Sequence, residues 1–151
     1  MTKILLAIDI QPSFVRRDID YVKRVHRYIA TSNYNYIYAT TFLNYEKSNF
    51  INILNWDKVM EFEKPMIEYD RLIIKHGYGI DDYSVLQRNN IHYDICGLDT
   101  EACVYKVALD LFDRCYDFSV LENLCQSSGG LLTHNSAITC LERSIGKALI
   151  K

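Results

Sequence analysis

The sequence predicts an α/β domain of three layers, a central and mostly parallel sheet between two layers of helices, and three observations carry that prediction. Short apolar runs suited to buried strands alternate with segments whose apolar residues recur every three or four positions, as on amphipathic helices. The run Lys3-Ile4-Leu5-Leu6-Ala7-Ile8-Asp9-Ile10 is almost unbroken apolar residue, the mark of a strand covered on both faces. No internal repeat or linker divides the chain, and 151 residues at 49% hydrophobic content suffice for one core, so a single domain is expected over 1–151.

The elements follow in order. A strand over 3–8 ends at Asp9. Arg16, Arg17, Lys23, Arg24 and Arg27 interleave with Asp18, Asp20, Val22, Val25, Tyr28 and Ile29 at helical spacing, which predicts a helix over 18–31 with a solvated basic face. Asn33-Tyr34-Asn35-Tyr36-Ile37-Tyr38 alternates and predicts a strand over 35–41. Segment 42–69 is long and variable; it holds the only tryptophan, Trp56, with Phe50, Phe62 and Pro65, and suits a short helix overhanging the strand ends. A strand over 70–75 ends at Lys75, before a turn containing Gly77 and Gly79. A helix over 81–89 and a strand over 92–96 come next. Val104, Ala108, Leu111, Phe112 and Cys115 form the stripe of a helix over 102–115. A strand over 117–122 and a helix over 133–148 complete the alternation.

In a parallel sheet the residues at the carboxyl ends of strands converge on one crevice. Asp9, Lys75 and Cys103 all occupy such ends. Cys103 falls in the first turn of its helix, where unpaired N–H groups and the positive dipole end favour thiolate and can hold an oxyanion. Each residue also has a plainer reading. A cysteine at a helix start packs as a small hydrophobe, an aspartate after a strand caps Ser13 and its neighbours, and a lysine after a strand is solvated.

The fragments together resemble the isochorismatase-like cysteine hydrolases, the superfamily of nicotinamidases, N-carbamoylsarcosine amidohydrolases and isochorismatases. The resemblance rests on Asp9 with Gln11 after the first strand, Lys75 after a middle strand, and Gly97-Leu98-Asp99-Thr100-Glu101-Ala102-Cys103-Val104 before a helix. It continues through Asp117 to Leu121 and through His134, Ala137 and Leu141, and so spans essentially the whole chain. It implies a three-layer, Rossmann-like fold and a triad of Asp9 as general base, Lys75 as its cationic partner and Cys103 as nucleophile. It also implies a cis Leu98–Asp99 peptide bond, with the backbone N–H groups of Asp99 and Cys103 forming an oxyanion hole. The implied reaction is hydrolysis of a C–N bond in a small amide, carbamoyl or ureido compound through a Cys103 thioester. The family leaves two other readings open: vinyl-ether hydrolysis, which does not use the cysteine, and an idle member that only binds or oligomerises. It further implies at least a dimer.

Two positions depart from the family pattern. Asp99 stands where a small apolar residue is usual; pointing inward it would oppose thiolate formation, and pointing outward it is a turn residue, the reading that its tolerance of turn geometry favours. Asn123 stands where relatives often carry aspartate. The chain is also short between Asp9 and Lys75 and between Lys75 and Cys103, which suggests a small or partly open pocket, or one completed by a neighbouring subunit. The nicotinamidase metal cluster has no counterpart after the second strand: Tyr38 to Phe50 lacks histidine, and His26, His76, His92 and His134 have no metal-ligand spacing, so neither metal nor cofactor is expected. Phe14 and Trp56 are the candidates for stacking on a flat substrate, with a core role equally open to both.

Composition sets outer limits. A net charge of −2 argues against nucleic acid as partner, and no apolar run is long enough to span a membrane or serve as a signal peptide, leaving a small-molecule substrate. Five cysteines, an odd number, suggest reduced thiols in a cytoplasmic setting. Cys96, Cys115 and Cys140 read as packing residues, and Cys125 as a second reactive thiol in or near a loop. The serine-rich stretch Gln126 to Gly130 reads as a flexible loop near the crevice.

Overall fold

Apolar content drives the first strand to the middle of the molecule. The computed structural model describes residues 1–151, and in it β1 (Thr2–Ile8) is the central strand of a five-stranded, all-parallel sheet. With β2 (Tyr36–Phe42), β3 (Arg71–Lys75), β4 (Ile91–Leu98) and β5 (Asp117–Gln126), the order is β3-β2-β1-β4-β5. Leu5 and Ala7 point to one face, and Ile4, Leu6 and Ile8 to the other. All five are essentially inaccessible, which is why this run shows no polar alternation.

Helices cover both faces. After the short α1 (Pro12–Val15), α2 (Ile19–Thr31) is started by Asp18, whose carboxylate accepts the Tyr21 N–H at 3.0 Å. Its buried stripe of Tyr21, Val22 and Val25 packs on Leu5, Ala7, Cys96 and Leu98. The opposite face carries α4 (Tyr105–Asp113) and α5 (Leu131–Ile145), which bring Val107, Ala108, Leu111, Ile138 and Leu141 against Ile4, Leu6 and Ile95. The expected three-layer α/β class is the observed one. In segment 42–69 the only helix is the single turn α3 (Asn49–Asn52), capped by Ser48.

Sequence and structure part in four places. The expected helix over 81–89 is a loop with one 3₁₀ turn, Tyr83–Val85. Buried Ile80, Tyr83 and Leu86 imitate helical spacing. Asp82, however, bonds the N–H and hydroxyl of Ser84, Asp81 bonds His76, and Tyr116 donates to the carbonyls of both Tyr83 and Leu86 at 2.9 Å. Side chains have taken up backbone groups that a helix would have paired. The expected helix 102–115 opens instead as a wide π turn, Thr100–Val104, and stops at Asp113. Cys115 lies beyond it at φ 57° and exposed, Phe112 is 44% exposed, and Cys140 also faces solvent, so neither Cys115 nor Cys140 is a packing residue. Finally, β5 continues past 122 after a register shift against β4 and pairs Cys125 with Gly97. Cys125 is therefore buried strand rather than loop, and burial pushes its thiol up to about 12, which removes it as a second reactive thiol.

Gly97 is where the sheet needs glycine. Its φ is +132°, and a Cβ there would lie 2.0 Å from the Ile8 carbonyl oxygen. That close approach brings the end of β4 against the end of β1, and with it the two segments that carry Cys103 and Asp9.

Candidate active site

Three strand ends meet at one buried cluster. Asp9 follows β1 directly, at φ 48°, and Lys75 is the last residue of β3; both are fully buried. Cys103 sits in the π turn after β4 and is 6% exposed. Lys75 Nζ lies 2.7 Å from Asp9 Oδ2 and 3.3 Å from Cys103 Sγ, and donates as well to the carbonyls of Gly77 at 2.7 Å and Tyr78 at 3.2 Å. The glycine-containing turn after β3 thus seats the ammonium. The structure brings all three candidate residues together.

Thr40 holds the carboxylate. Its hydroxyl donates to Asp9 Oδ1 at 2.6 Å and lies 3.1 Å from the Asp9 N–H. Oδ2 has the Lys75 charge beside it but no well-aligned hydrogen-bond donor, so it is the oxygen with a lone pair open to a proton. Asp9 does not cap Ser13. Glu63 does that, accepting from the Ser13 N–H and hydroxyl and from the Gln11 amide, while Gln11 pins Phe42 at the end of β2.

The electrostatics differ from the expectation of a resting thiolate. Burial raises the Cys103 pKa well above that of an ordinary thiol; the Asp9 carboxylate raises it further, and Lys75 only partly offsets them. Burial works against the Lys75 charge too, but Asp9 and Cys103 outweigh it and hold the ammonium protonated. The resting set is a thiol, a carboxylate and an ammonium.

The thiol opens onto a cavity of about 480 Å³ built within the single chain. Phe14 and Trp56, both half-buried, stack on each other at 6.0 Å with an 8° interplanar angle and form one wall. Phe42, Phe50 and Tyr78 continue it edge to face, at centroid distances of 4.9 and 5.1 Å. Segment 42–69 supplies Phe50 from α3 itself and Trp56 from the residues after it, the overhang expected of the segment.

The Leu98–Asp99 peptide bond is cis. The Asp99 carbonyl accepts from the N–H groups of Ala102 and Val104, while the Asp99 N–H is taken by no turn, cap or side-chain acceptor. The Asp99 carboxylate is not among the charges that act on the Cys103 thiol; it accepts the N–H and the hydroxyl of Ser128 at 2.7 Å each, and so draws the 126–130 loop onto the cavity rim. Burial raises its pKa against the opposing pull of those bonds. Thr100, beside the cis bond, is tied by its hydroxyl to His134 Nδ1 at 2.8 Å, which fixes the loop to α5.

Thr40, Glu63 and Phe42 escape the sequence reading, and Ser128 enters it only as part of the loop expected near the crevice. Only the end position of Phe42 on β2 carried a signal that could have found it; the others depend on register and loop course.

No protein-family model and no curated protein matches this sequence. Solved structures do match. A pyrazinamidase from Pyrococcus horikoshii in complex with zinc aligns over 100% of this chain and 98% of its own, at 18% identity and a TM-score of 0.75. An isochorismatase-like hydrolase from Alkaliphilus metalliredigens covers 95% and 92% at 14% identity and 0.74. An N-carbamoylsarcosine amidase from Thermoplasma acidophilum covers 93% and 93% at 18% identity and 0.68. The likeness at these identities is one of fold, and it takes in essentially the whole chain.

Proposed function

We propose that this protein is an isochorismatase-like cysteine hydrolase that cleaves a C–N bond of a small amide, carbamoyl or ureido compound. The observation that carries the reading is the buried Asp9, Lys75 and Cys103 cluster at the floor of an aromatic cavity. Cys103 Sγ attacks the carbonyl carbon as its proton passes to Asp9 Oδ2. The oxygen of the tetrahedral intermediate is received by the backbone N–H groups of Asp99 and Cys103. The C–N bond then breaks, Asp9 returns the proton to the leaving nitrogen, and ammonia or an amine departs from a thioester. Water attacks the thioester, giving one proton to Asp9; collapse releases the acid, and Asp9 reprotonates the sulfur.

The residues present do not fit a metal. No group of three or more His, Cys, Asp or Glu is placed to hold one. At the end of β2, Asn44 is spent on the carbonyls of Trp56 and Lys58, the Tyr45 N–H and the Ser48 hydroxyl. Orienting the substrate falls to the aromatic wall.

The test is ammonia release from a panel of small carboxamides, carbamoyl amines and ureido acids, with chelator present, beside Cys103→Ala. The expected result is release that vanishes in the variant. An active Cys103→Ala would refute the thioester route, and silence of the native protein across the whole panel would leave vinyl-ether hydrolysis or an idle, binding-only protein as the reading.

A further inference from the structure

We propose that the cavity selects amide or ureido compounds that carry a carboxylate, and that Arg16 is the residue that selects them. The inference takes its reaction from the reading above and adds the substrate's charge. Arg16 ends α1, at φ 57°, its N–H bonded to the Pro12 carbonyl at 2.8 Å, and its side chain lines the same cavity as Cys103. Its guanidinium makes no hydrogen bond or salt bridge within the protein, and its one acidic neighbour on the cavity wall is Asp99. The second cation on that wall, Lys58, has only Asp57 at 3.7 Å on the open surface.

Against these two cations stands one carboxylate, Asp99, whose oxygens accept from Ser128 and which already feels the Arg16 charge. Among the charged side chains that line the cavity, Arg16 and Lys58 therefore outnumber Asp99 by one positive charge, while the walls are aromatic. A planar amide placed with its carbonyl at Cys103 and its body on Phe14 and Trp56 has its far end toward the rim. A carboxylate there gives the guanidinium the planar, two-oxygen partner that its fork of N–H groups matches. A cationic group at the same end would meet Arg16 and Lys58 and be rejected.

Two compounds of nearly identical shape test this: 3-carbamoylbenzoate and its neutral isostere isophthalamide. Binding of each is measured by calorimetry on the native protein and on Cys103→Ala, and ammonia release is measured on the native protein. The carboxylate is expected to bind about tenfold or more tightly. That ratio should fall to near one in Arg16→Gln, and should persist in Lys23→Gln, a charge control on the exposed face of α2. Equal binding of the two compounds, a ratio that survives in Arg16→Gln, or no binding of either would overturn the proposal. Selective binding without ammonia release would sink the hydrolase reading and leave the charge selection standing; release without selectivity would do the reverse.

Discussion

Replacing Asp9 with asparagine should make Cys103 more reactive toward an alkylating agent while abolishing hydrolysis. The two distances that meet at Lys75 Nζ, 2.7 and 3.3 Å, place Asp9 Oδ2 at most about 6 Å from Cys103 Sγ. At an effective dielectric of about 20, a unit charge at that separation disfavours thiolate by about 3 kcal/mol. Removing it lowers the thiol pKa by about two. Thiolate at neutral pH then rises about a hundredfold, and the weaker nucleophilicity of a more acidic thiol takes back about tenfold, leaving iodoacetamide alkylation about tenfold faster. Loss of the general base lowers ammonia release by about 10²- to 10⁴-fold. The assay is the second-order rate of carbamidomethylation at Cys103 by intact mass, from pH 6 to 10, with far-UV circular dichroism to confirm folding. An alkylation rate in Asp9→Asn that stays equal to or below that of the native protein even at pH 10, where hydroxide rather than Asp9 can take the thiol proton, would refute the reasoning, because it would mean that the Asp9 charge does not hold the thiol protonated.

Other perturbations probe other parts of the structure. Gly97→Ala forces a Cβ into the Ile8 backbone at 2.0 Å, so strands β1 and β4 must separate, and a fall in melting temperature of about 10 °C or more, or loss of soluble protein, is expected. Trp56→Ala removes one ring of the stacked wall; KM for an aromatic amide should rise about tenfold with kcat nearly unchanged, and an equal fall in kcat would place the tryptophan in the chemistry instead. Asp110 is buried, which opposes its charge, yet hydrogen bonds from Lys106 and Tyr83 and the charges of Lys106 and Arg114 lower its pKa. A lowered carboxylate pKa contributes stability that is present above the unfolded value near 3.8 and is lost as pH falls through the folded one. Asp110→Asn should therefore cost about 1 to 3 kcal/mol at pH 7, and that cost should shrink as pH falls through the lowered pKa, by urea denaturation; a cost independent of pH would mean that the charge contributes nothing.

What could be read from the sequence was what burial writes into it. The unbroken apolar run of β1 and the three- and four-residue stripes of α2 and α5 report surfaces hidden from water, and they placed the strand ends and with them Asp9, Lys75 and Cys103. The loop over 81–89 escaped because Ile80, Tyr83 and Leu86 are buried at a spacing that a helix shares, and periodicity does not reveal that Tyr116 and Arg71 will pair with the carbonyls of Tyr83, Val85 and Leu86. Thr40 escaped for another reason. Its role follows from the register that sets Ala7 opposite Ala39, and so brings the next residue of β2 beside the residue just past the end of β1. Register is a pairwise property that no single strand spells out.

The thiol's raised pKa and its proposed role as nucleophile are compatible because the relevant step creates no new charge. An isolated thiolate at this depth is penalised by burial, and that is what its pKa reports. Moving the proton from Cys103 Sγ to Asp9 Oδ2 instead exchanges a carboxylate 2.7 Å from the Lys75 ammonium for a thiolate 3.3 Å from it. The three groups carry a net charge of zero before and after, so the ammonium stabilises both arrangements and the buried environment opposes neither. Lys75 can do this only while it stays protonated, and the same two partners that share its charge keep it so against its own burial. The group that makes the transfer possible is thus held in its working state by the pair between which the proton moves.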